Sequence, residues 1–357
     1  MFLFVIILIA LAALAQYALT RDILRYVQED YYSETNVADP EQTFYLHVTL
    51  KNTSRHYLPF LRFTLSLPKE IEPLDQRHCT PETYLGGCRF SCSTWLKPFA
   101  RADFRIPVRI ERRGRYILQP LALCSGDFLG LHEQVRRSSL YREVVIAPKE
   151  APETDPAPAM SGFLGDCSVR RFLYEDPILT AGFREYTGQE PMKKISWTQS
   201  ARACSLLVKN DDYTVEPTVS VILNVDLHAA KDAAELEAVC SLARTVCRIL
   251  EERRTPYDVI TNTVTAGGWY DGGVGTVLRG FGTAHFGKVL ELLGRTTDML
   301  RESERAMMTS IIDSREQVGR ILVTSVHGMP AEDTLHRLRE VSGGSLLVLT
   351  PGKGEVL

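Results

Sequence analysis

The segment TVSVILNVD, residues 218–226, is a nearly continuous run of apolar residues. A strand buried on both faces has this composition, because neither face needs polar side chains. In residues 232–252, which follow, apolar side chains recur at helical spacing. The two segments together predict a buried strand and a helix that covers it, which is the repeating unit of a parallel sheet.

The same alternation of strand and helix patterns continues to the end of the chain. Further predicted elements are a strand at 258–264, a Gly-rich hairpin at 267–282, helices at 284–293 and 302–314, a strand at 321–326, a helix at 331–341 and a strand at 346–349. We therefore predict that residues 216–357 form an α/β, Rossmann-like domain whose mostly parallel sheet is covered on both faces.

The first half of the chain has the period of strands instead. Alternating or β-branched runs occur at 44–50, 61–67, 104–110, 116–123 and 141–146, and no long helical pattern interrupts them. Short strands separated by turn signals predict an antiparallel β-sandwich over residues 34–147, so that the fold class is α+β with several domains.

Residues 148–215 are predicted to connect the two domains. The stretch 148–158 contains four prolines and little that could pack, as a linker does. The stretch 161–212 is rich in charged and aromatic residues but lacks a clean period.

Residues 1–19 contain no charged side chain, and as a helix they just span a hydrocarbon core of about 30 Å. Arg21 and Arg25 follow at once, which favours a single-pass anchor in the cell membrane with the downstream part in the cytoplasm. The alternative is a cleaved signal peptide, since Ala13-Leu14-Ala15 resembles a cleavage site.

The composition excludes some classes of function. A net charge of −3 gives no long-range attraction for nucleic acid. The chain contains no G-x-S-x-G or H-E-x-x-H motif, which favours a protein that is not an enzyme. His78, Cys79, Cys88 and Cys92 form a local cluster that fits a zinc site, a local disulfide or ordinary loop cysteines.

Two further motifs concern ligands. Asp226 ends the first predicted strand of the α/β region, where it could hold a divalent metal or act as a capping carboxylate. The run GTAHFGK, residues 282–288, satisfies G-x-x-x-x-G-K but is followed by Val289, where a P-loop needs a hydroxyl. We expect no nucleotide and no other cofactor, apart from Mg²⁺ at Asp226.

The segment FREYTGQEPMKKISWTQSAR, residues 183–202, concentrates planar donors, carboxylates and aromatic anchors. Such a mixture is typical of a protein interface or of a structural clasp between domains. The predicted partner-binding or interdomain residues are Arg184, Tyr186, Glu190, Lys193, Trp197, Ser200 and Arg202.

This segment resembles the signature of the bacterial "domain of unknown function 58" family, which runs roughly R-x-Y-x-x-G-D-x-x-R-x-I-x-W-x-x-S-A-R. The residues that match in register are Arg184, Tyr186, Ile195, Trp197, Ser200, Ala201 and Arg202. Gln189, Glu190 and Lys193 stand where the family has Gly, Asp and Arg. Upstream, residues 113–116 and 127–131 look like the family's R-G-x-Y and D-P-F-G-L elements, with Phe128 in place of the proline.

The resemblance implies a von Willebrand factor A-like fold for the C-terminal region. Such domains often hold Mg²⁺ through D-x-S-x-S at the end of the first strand. Here Asp226 is followed by His228 and Ala230 in the two serine positions. Relatives are often encoded beside MoxR-type AAA+ ATPases, which implies an ATPase partner and a role in envelope-related assembly.

Three functional hypotheses follow from the sequence. The first is a membrane-anchored scaffold that binds a protein partner and has no catalytic activity. The second is a metal-dependent adhesion module that uses Asp226 with ligands such as Thr265, Thr283 or Ser325. The third is a hydrolase with a cysteine nucleophile, which requires a thiol of low pKa.

Overall fold

The structure is a computed structural model of the 357-residue chain. It describes residues 7, 23–81, 86–126, 133–151, 155–171, 180–188, 191–211, 218–225, 233–267, 275–325, 327–352 and 354–355. The chain divides into two compact units. The first runs to Lys149 and includes Leu293–Arg295, and the second holds the remaining residues from Glu150 onward.

The first unit is built from short strands. Their bounds are β1 Val27–Ser33, β2 Val37–Ala38, β3 Phe44–Asn52, β4 Leu58–Leu67, β5 Ile71–Pro73, β6 Cys79–Pro81, β7 Cys88–Leu96, β8 Arg101–Ile110, β9 Gly114–Leu118, β10 Ala122–Gly126, β11 Glu133–Arg137 and β12 Arg142–Ile146. Single 3₁₀ turns occupy Ile23–Tyr26 and Gln76–His78.

These strands form two antiparallel sheets and a smaller third one. The orders are β1-β3-β8-β5 in the four-stranded sheet, β11-β10-β4-β7-β6 in the five-stranded sheet and β2-β12-β9 in the third. Alternate side chains of both larger sheets, such as Leu46 and Leu65, enter one continuous apolar core. The predicted antiparallel, sandwich-like architecture is therefore confirmed.

Two details of this unit differ from the sequence prediction. The strands begin at Val27 rather than after residue 34, because β1 is an edge strand that buries little besides Val27 and Tyr31 and so has no regular apolar pattern. The single strand predicted at 116–123 is two strands, β9 and β10, separated by Gln119-Pro120-Leu121. A proline donates no backbone hydrogen bond, which is why the ladder breaks there.

The second unit mixes helices and strands. Its helices are α1 Ala157–Arg171, α2 Trp197–Ala203, α3 Ala233–Glu252, α4 Thr283–Arg295, α5 Glu304–Asp313 and α6 Glu332–Val341, with a 3₁₀ turn at Met192–Lys194. Its strands are β13 Thr180–Glu185, β14 Leu207–Asp211, β15 Val219–Asn224, β16 Tyr257–Thr261, β17 Thr263–Thr265, β18 Thr276–Gly280, β19 Thr296–Leu300, β20 Gly319–Thr324, β21 Leu346–Thr350 and β22 Gly354–Glu355.

A six-stranded sheet of order β18-β16-β15-β20-β21-β22 is the centre of this unit. Its four inner strands are parallel, as predicted, and the edge strands β18 and β22 are antiparallel to their neighbours. Helices α5 and α6 bury Met308 and Leu338 against Ile222 and Leu322. Every residue of β15 is buried, so both faces of the sheet are covered.

Helix α1 corrects the prediction for residues 148–215, which placed a linker and an irregular segment there. The carboxylate of Asp155 accepts a hydrogen bond of 3.0 Å from the backbone N–H of Ala157 and so satisfies a free donor at the start of the helix. Pro158 is tolerated because it lies in the first turn. Met160 and Phe163 are buried, although the helix is too weakly amphipathic for its pattern to be visible.

The predicted anchor, residues 1–19, lies outside the described residues except for Ile7. Among the residues that the structure describes, no helix is both long and apolar enough to cross a membrane.

A row of polar side chains crosses the central sheet near the amino ends of its strands. Ser220 of β15 pairs with Asp258 of β16 on one side and with Arg320 of β20 on the other. Arg320 is 2% exposed and donates to the hydroxyl of Ser342 over 2.8 Å and to the carbonyl of Glu316 over 2.9 Å. Burial raises the pKa of the Asp258 carboxyl, although Arg279 lies 3.1 Å away and opposes the shift.

We expect Asp258→Asn to stabilise the second unit at neutral pH by about 1 kcal/mol, because it removes a desolvated charge. The folded state holds the proton of Asp258 more tightly than the unfolded state. The loss of unfolding free energy that the buried carboxylate causes is therefore absent below the unfolded pKa of about 3.9. It grows as pH rises through the folded pKa. Urea unfolding of both proteins across pH should therefore show a gain at neutral pH that disappears in acid.

The exposed carboxylate of Asp313 provides the matched control. Asp313→Asn should change the unfolding free energy by less than about 0.5 kcal/mol at every pH. A loss of stability in Asp258→Asn at neutral pH would show instead that the ion pair with Arg279 dominates.

Candidate functional site

The segment singled out by its sequence forms a compact substructure in the second unit, which we call the signature hairpin (residues 180–188 and 191–211). Strands β13 and β14 pair in antiparallel fashion, with Phe183 opposite Lys209 and Arg184 opposite Val208. The 3₁₀ turn and α2 lie between the strands in sequence. An isolated bridge joins Ile195 to Val208, and both side chains are buried.

Ser200 attaches α2 to β14. Its hydroxyl accepts a hydrogen bond of 2.8 Å from the backbone N–H of Leu207 and donates to the carbonyl of Ser196 over 2.8 Å. The N–H of Ser196 in turn donates to the carbonyl of Leu207 over 2.9 Å. Ser200, one of the predicted partner-binding or interdomain residues, is buried and holds the hairpin together.

The other predicted residues of the signature lie at the surface. Arg184, Lys193 and Arg202 are exposed, Tyr186 is half-buried, and Trp197 is 61% exposed at the first position of α2. Glu190 lies outside the described residues.

Three more apolar side chains of the hairpin are exposed, although no motif in the sequence pointed to them. Phe183 is 44% exposed, Met192 67% and Leu206 46%. Their exposure depends on which face of the hairpin packs inward, and an aperiodic sequence does not indicate that face. Together with Trp197 they present large apolar side chains to solvent, which is typical of protein-binding surfaces.

The hairpin is also basic. Its described residues include Arg184, Lys193, Lys194, Arg202 and Lys209 against only Glu185 and Asp211, although the whole chain carries −3. The arrangement of aromatic and basic side chains can bind an acidic protein surface, because the cations steer the approach and the apolar side chains supply buried area.

A second polar cluster lies where β15, β16 and β20 end. The amide of Asn224 donates to the carbonyl of Gly328 over 2.7 Å and to the hydroxyl of Thr324 over 3.2 Å. The amide of Asn262 donates to Asn224 Oδ1 over 2.9 Å and its own oxygen accepts from the N–H of Val225 over 2.9 Å. These fully buried groups satisfy one another and fix the three strand ends.

The metal hypothesis concerns this edge of the sheet. Asp226 follows Val225 directly but lies outside the described residues. Of the other candidate ligands, Ser325 follows β20 at the same edge and Thr265 ends β17. Thr283 lies at the opposite, amino edge, because it follows β18, whose last residue pairs with Tyr257 there. Within the described residues, no group of three or more His, Cys, Asp or Glu side chains is placed to hold a metal ion.

The run GTAHFGK starts α4 after an antiparallel edge strand, which is not the context of a P-loop. Gly282 has a φ of 100°, which only glycine adopts readily, and its N–H donates to Glu251 Oε2 over 2.7 Å. The N–H of Gly282, one of the donors that a phosphate loop would use, is therefore already paired with a carboxylate.

The cysteine cluster contains two thiols close together, with Cys79 Sγ and Cys88 Sγ 3.6 Å apart. Burial raises the pKa of Cys79 to about 12, and it also raises the pKa values of Cys92 and Cys124. A raised pKa keeps these thiols protonated, which is the opposite of what a cysteine nucleophile requires.

Comparisons with known proteins do not place the chain in a family. No family model matches it, and no curated protein matches it. Among solved structures, a cohesin module from a Clostridium perfringens family 33 glycoside hydrolase has 9% identity and a TM-score of 0.25, over 34% of this chain and 96% of that one.

Two other solved structures are similarly distant. AvmM, described as catalysing macrocyclization in alchivemycin A biosynthesis, has 11% identity and a TM-score of 0.25, over 35% of this chain and 92% of that one. The Pseudomonas fluorescens alkylpurine DNA glycosylase AlkC, bound to DNA with an abasic site analog, has 13% identity and a TM-score of 0.20, over 34% of this chain and 30% of that one. At such TM-scores none of these likenesses carries an argument about fold or function.

We expect Ser200→Ala to loosen α2, because it leaves the N–H of Leu207 without its acceptor and removes a donor to Ser196. Hydrogen exchange of the α2 amides should become roughly ten- to a hundredfold faster, which corresponds to a loss of about 1–3 kcal/mol. Mass spectrometry of exchange resolved by peptide measures this directly.

Thr198→Ala is the control, since Thr198 is an exposed hydroxyl on the same helix. Alanine has a higher helix propensity than either serine or threonine, so equal acceleration in both variants would mean that the Ser200 hydrogen bonds do not specifically hold α2.

Proposed function

We propose that this chain is a membrane-anchored protein-interaction protein without catalytic activity, and that its signature hairpin binds the partner. The observation that carries the proposal is the exposure of Trp197, Phe183, Met192 and Leu206 within one short basic substructure. Large apolar side chains are costly to expose to water, and tryptophan is among the residues most enriched at binding hot spots.

The resemblance to the "domain of unknown function 58" family suggests the partner, a MoxR-type AAA+ ATPase in an envelope-related assembly. It also suggests that the second unit is a von Willebrand factor A-like domain. The order of its sheet supports this suggestion, because the first strand β15 is central and β18 is an antiparallel edge. The basic charge of the hairpin predicts that the partner presents an acidic surface.

The test is the affinity of the full-length chain, held in nanodiscs, for a purified MoxR-type ATPase encoded beside its gene. We expect Trp197→Ala to weaken binding about thirtyfold or more, as loss of a hot-spot tryptophan does. Biolayer interferometry at two salt concentrations gives the affinity and its electrostatic part.

Phe281→Ala is the matched control, because Phe281 is an aromatic residue of the same unit and is 56% exposed. Unchanged binding in Trp197→Ala would remove the hairpin from the interface. Absence of binding by the unmodified chain would remove the ATPase as the partner.

A second candidate function is metal-dependent adhesion through Asp226. The observation in its favour is topological, since the chain order in the sheet reverses between β15 and β20, and ligands bind at such a switch point outside the carboxyl ends of the strands. Asp226 follows β15 at this point. Hydroxyl oxygens nearby belong to Ser325 and Thr324, of which Thr324 already donates to Gly328.

Calorimetric titration with Mg²⁺ and Mn²⁺ tests this candidate. If the site is functional, micromolar binding should be lost in Asp226→Ala and kept in Asp298→Ala, which removes an exposed carboxylate of β19. If neither the unmodified chain nor the variants bind metal, the adhesion candidate is wrong and the scaffold proposal stands alone.

A further inference from the structure

The outer face of the five-stranded sheet in the first unit is basic and rich in hydroxyl groups. Alternate residues of its strands point away from the core, and the registers place them in rows. Arg62 lies beside Ser93 and Cys124, while Thr64 lies beside Ser91. Arg89 lies beside Ser66 on one side and Thr80 on the other, and Arg137 lies beside Ala122. We call this surface the basic face and define it by Arg62, Arg89 and Arg137.

The outer face of the four-stranded sheet has a different charge pattern. There, Arg101 pairs with Asp103 at 2.7 Å, and Arg109 lies 3.9 Å from Glu111. On the basic face, Arg62 instead donates to the hydroxyl of Ser93 over 3.2 Å, and the acidic residue on the described outward positions is Glu133. The basic face therefore keeps a net positive charge, whereas the other face is close to balanced.

A cleft of about 560 Å³ runs along the basic face and is lined by its three arginines together with Thr64, Ser66 and Tyr141. Hydroxyl and guanidinium donors are the groups that bind phosphate oxygens. The arginines lie on three different strands: β4 and β7 are neighbours about 4.8 Å apart, and β10 separates β4 from β11. The face therefore matches an array of anionic groups better than one small anion.

Exposed aromatic side chains border the same surface. Trp95 is 54% exposed and lies on the outward side of β7, with Tyr57 at 6.0 Å between ring centroids and Lys97 at 5.8 Å from its ring. Tyr141 is 65% exposed at the cleft. Tryptophan and tyrosine beside basic residues are the composition of surfaces that lie at the membrane–water boundary.

The start of the described chain is fastened to this sheet. The 3₁₀ turn Ile23–Tyr26 lies against β10 and β11. Arg136 of β11 donates to the carbonyl of Leu24 over 2.6 Å and to that of Val27 over 2.7 Å. The chain therefore enters the first unit beside the five-stranded sheet. This point lies four residues after the predicted anchor ends, and four residues of extended backbone span at most about 14 Å.

We infer that the basic face lies against the anionic head groups of the membrane that residues 1–19 enter. The inference rests on the anchoring part of the proposed function, and it adds a surface and a partner that the proposal does not contain. Each arginine near an anionic bilayer strengthens binding about fivefold, so the three together strengthen docking about a hundredfold. The predicted cytoplasmic side is also the side with the more anionic leaflet.

The test uses the full-length chain in vesicles of phosphatidylcholine brominated on its acyl chains, with and without phosphatidylglycerol. Bromine quenches tryptophan fluorescence only at short range, and the part due to Trp95 is the difference between the unmodified chain and Trp95→Phe. We expect the Trp95 fluorescence to be quenched in the anionic vesicles. The quenching should be absent in pure phosphatidylcholine and in about 1 M salt, where the screening length falls to about 3 Å.

Two triple variants separate the basic face from general charge. R62Q/R89Q/R137Q should abolish the quenching of Trp95, and R101Q/R105Q/R109Q, which removes three arginines of the opposite face, should leave it intact. Circular dichroism confirms that both variants are folded. Quenching that is absent, independent of lipid charge, or equally sensitive to both triple variants would overturn the inference.

The outcome is independent of partner binding. Trp197→Ala should leave the quenching of Trp95 unchanged, and R62Q/R89Q/R137Q should leave the affinity for the ATPase unchanged. Resistance to alkaline extraction reports separately on whether residues 1–19 anchor the chain in the bilayer. If the chain is extracted, flotation with phosphatidylglycerol vesicles still tests the basic face, and failure to float would overturn the inference.

Discussion

Strand β15 is buried along its whole length, and this constraint organises the second unit. A polar side chain on such a strand must find its hydrogen-bond partners inside the protein, because water does not reach it. Two polar side chains of β15, those of Ser220 and Asn224, point to the same face as Ile222. Ser220 lies between Asp258 and Arg320 near the amino edge, and Asn224 bonds to neighbours at the carboxyl edge.

The two ends of the sheet satisfy this constraint in different ways. At the carboxyl edge the described groups are neutral amides, hydroxyls and carbonyls that hydrogen-bond to one another, so the strand ends are fixed without burying a charge. At the amino edge the groups include the buried guanidinium of Arg320 and the carboxyl of Asp258, whose pKa is raised by burial. The raised pKa of Asp258 makes the stability of the amino edge depend on pH.

The sequence was sufficient where burial produced a regular pattern. The apolar run at 218–226 and the helical spacing of 232–252 correspond to β15 and α3 within about two residues, because both elements are buried over most of their surface. The order of the sheet and its antiparallel edge strands are properties of long-range pairing and were not visible in local patterns.

The signature hairpin shows the limit of such reasoning. Its sequence identified Trp197, Arg184 and Ser200 alike as partner-binding or interdomain residues. It did not indicate that the hydroxyl of Ser200 holds α2 to β14. It also did not indicate Phe183 or Met192. Which side chains are exposed in an aperiodic segment depends on tertiary packing. The residues of the basic face are also brought together by long-range pairing, because they lie on three separate strands, β4, β7 and β11.

The reversed strands at both ends of the six-stranded sheet affect how copies of this chain behave side by side. A parallel sheet with an open parallel edge can accept a strand from a neighbouring copy. Here β22 is only two residues long, and β18 carries the charged Arg279 beside Asp258 and Glu316. Short and charged edge strands oppose strand exchange. The sheet therefore has little tendency to polymerise edge to edge with other copies of the chain.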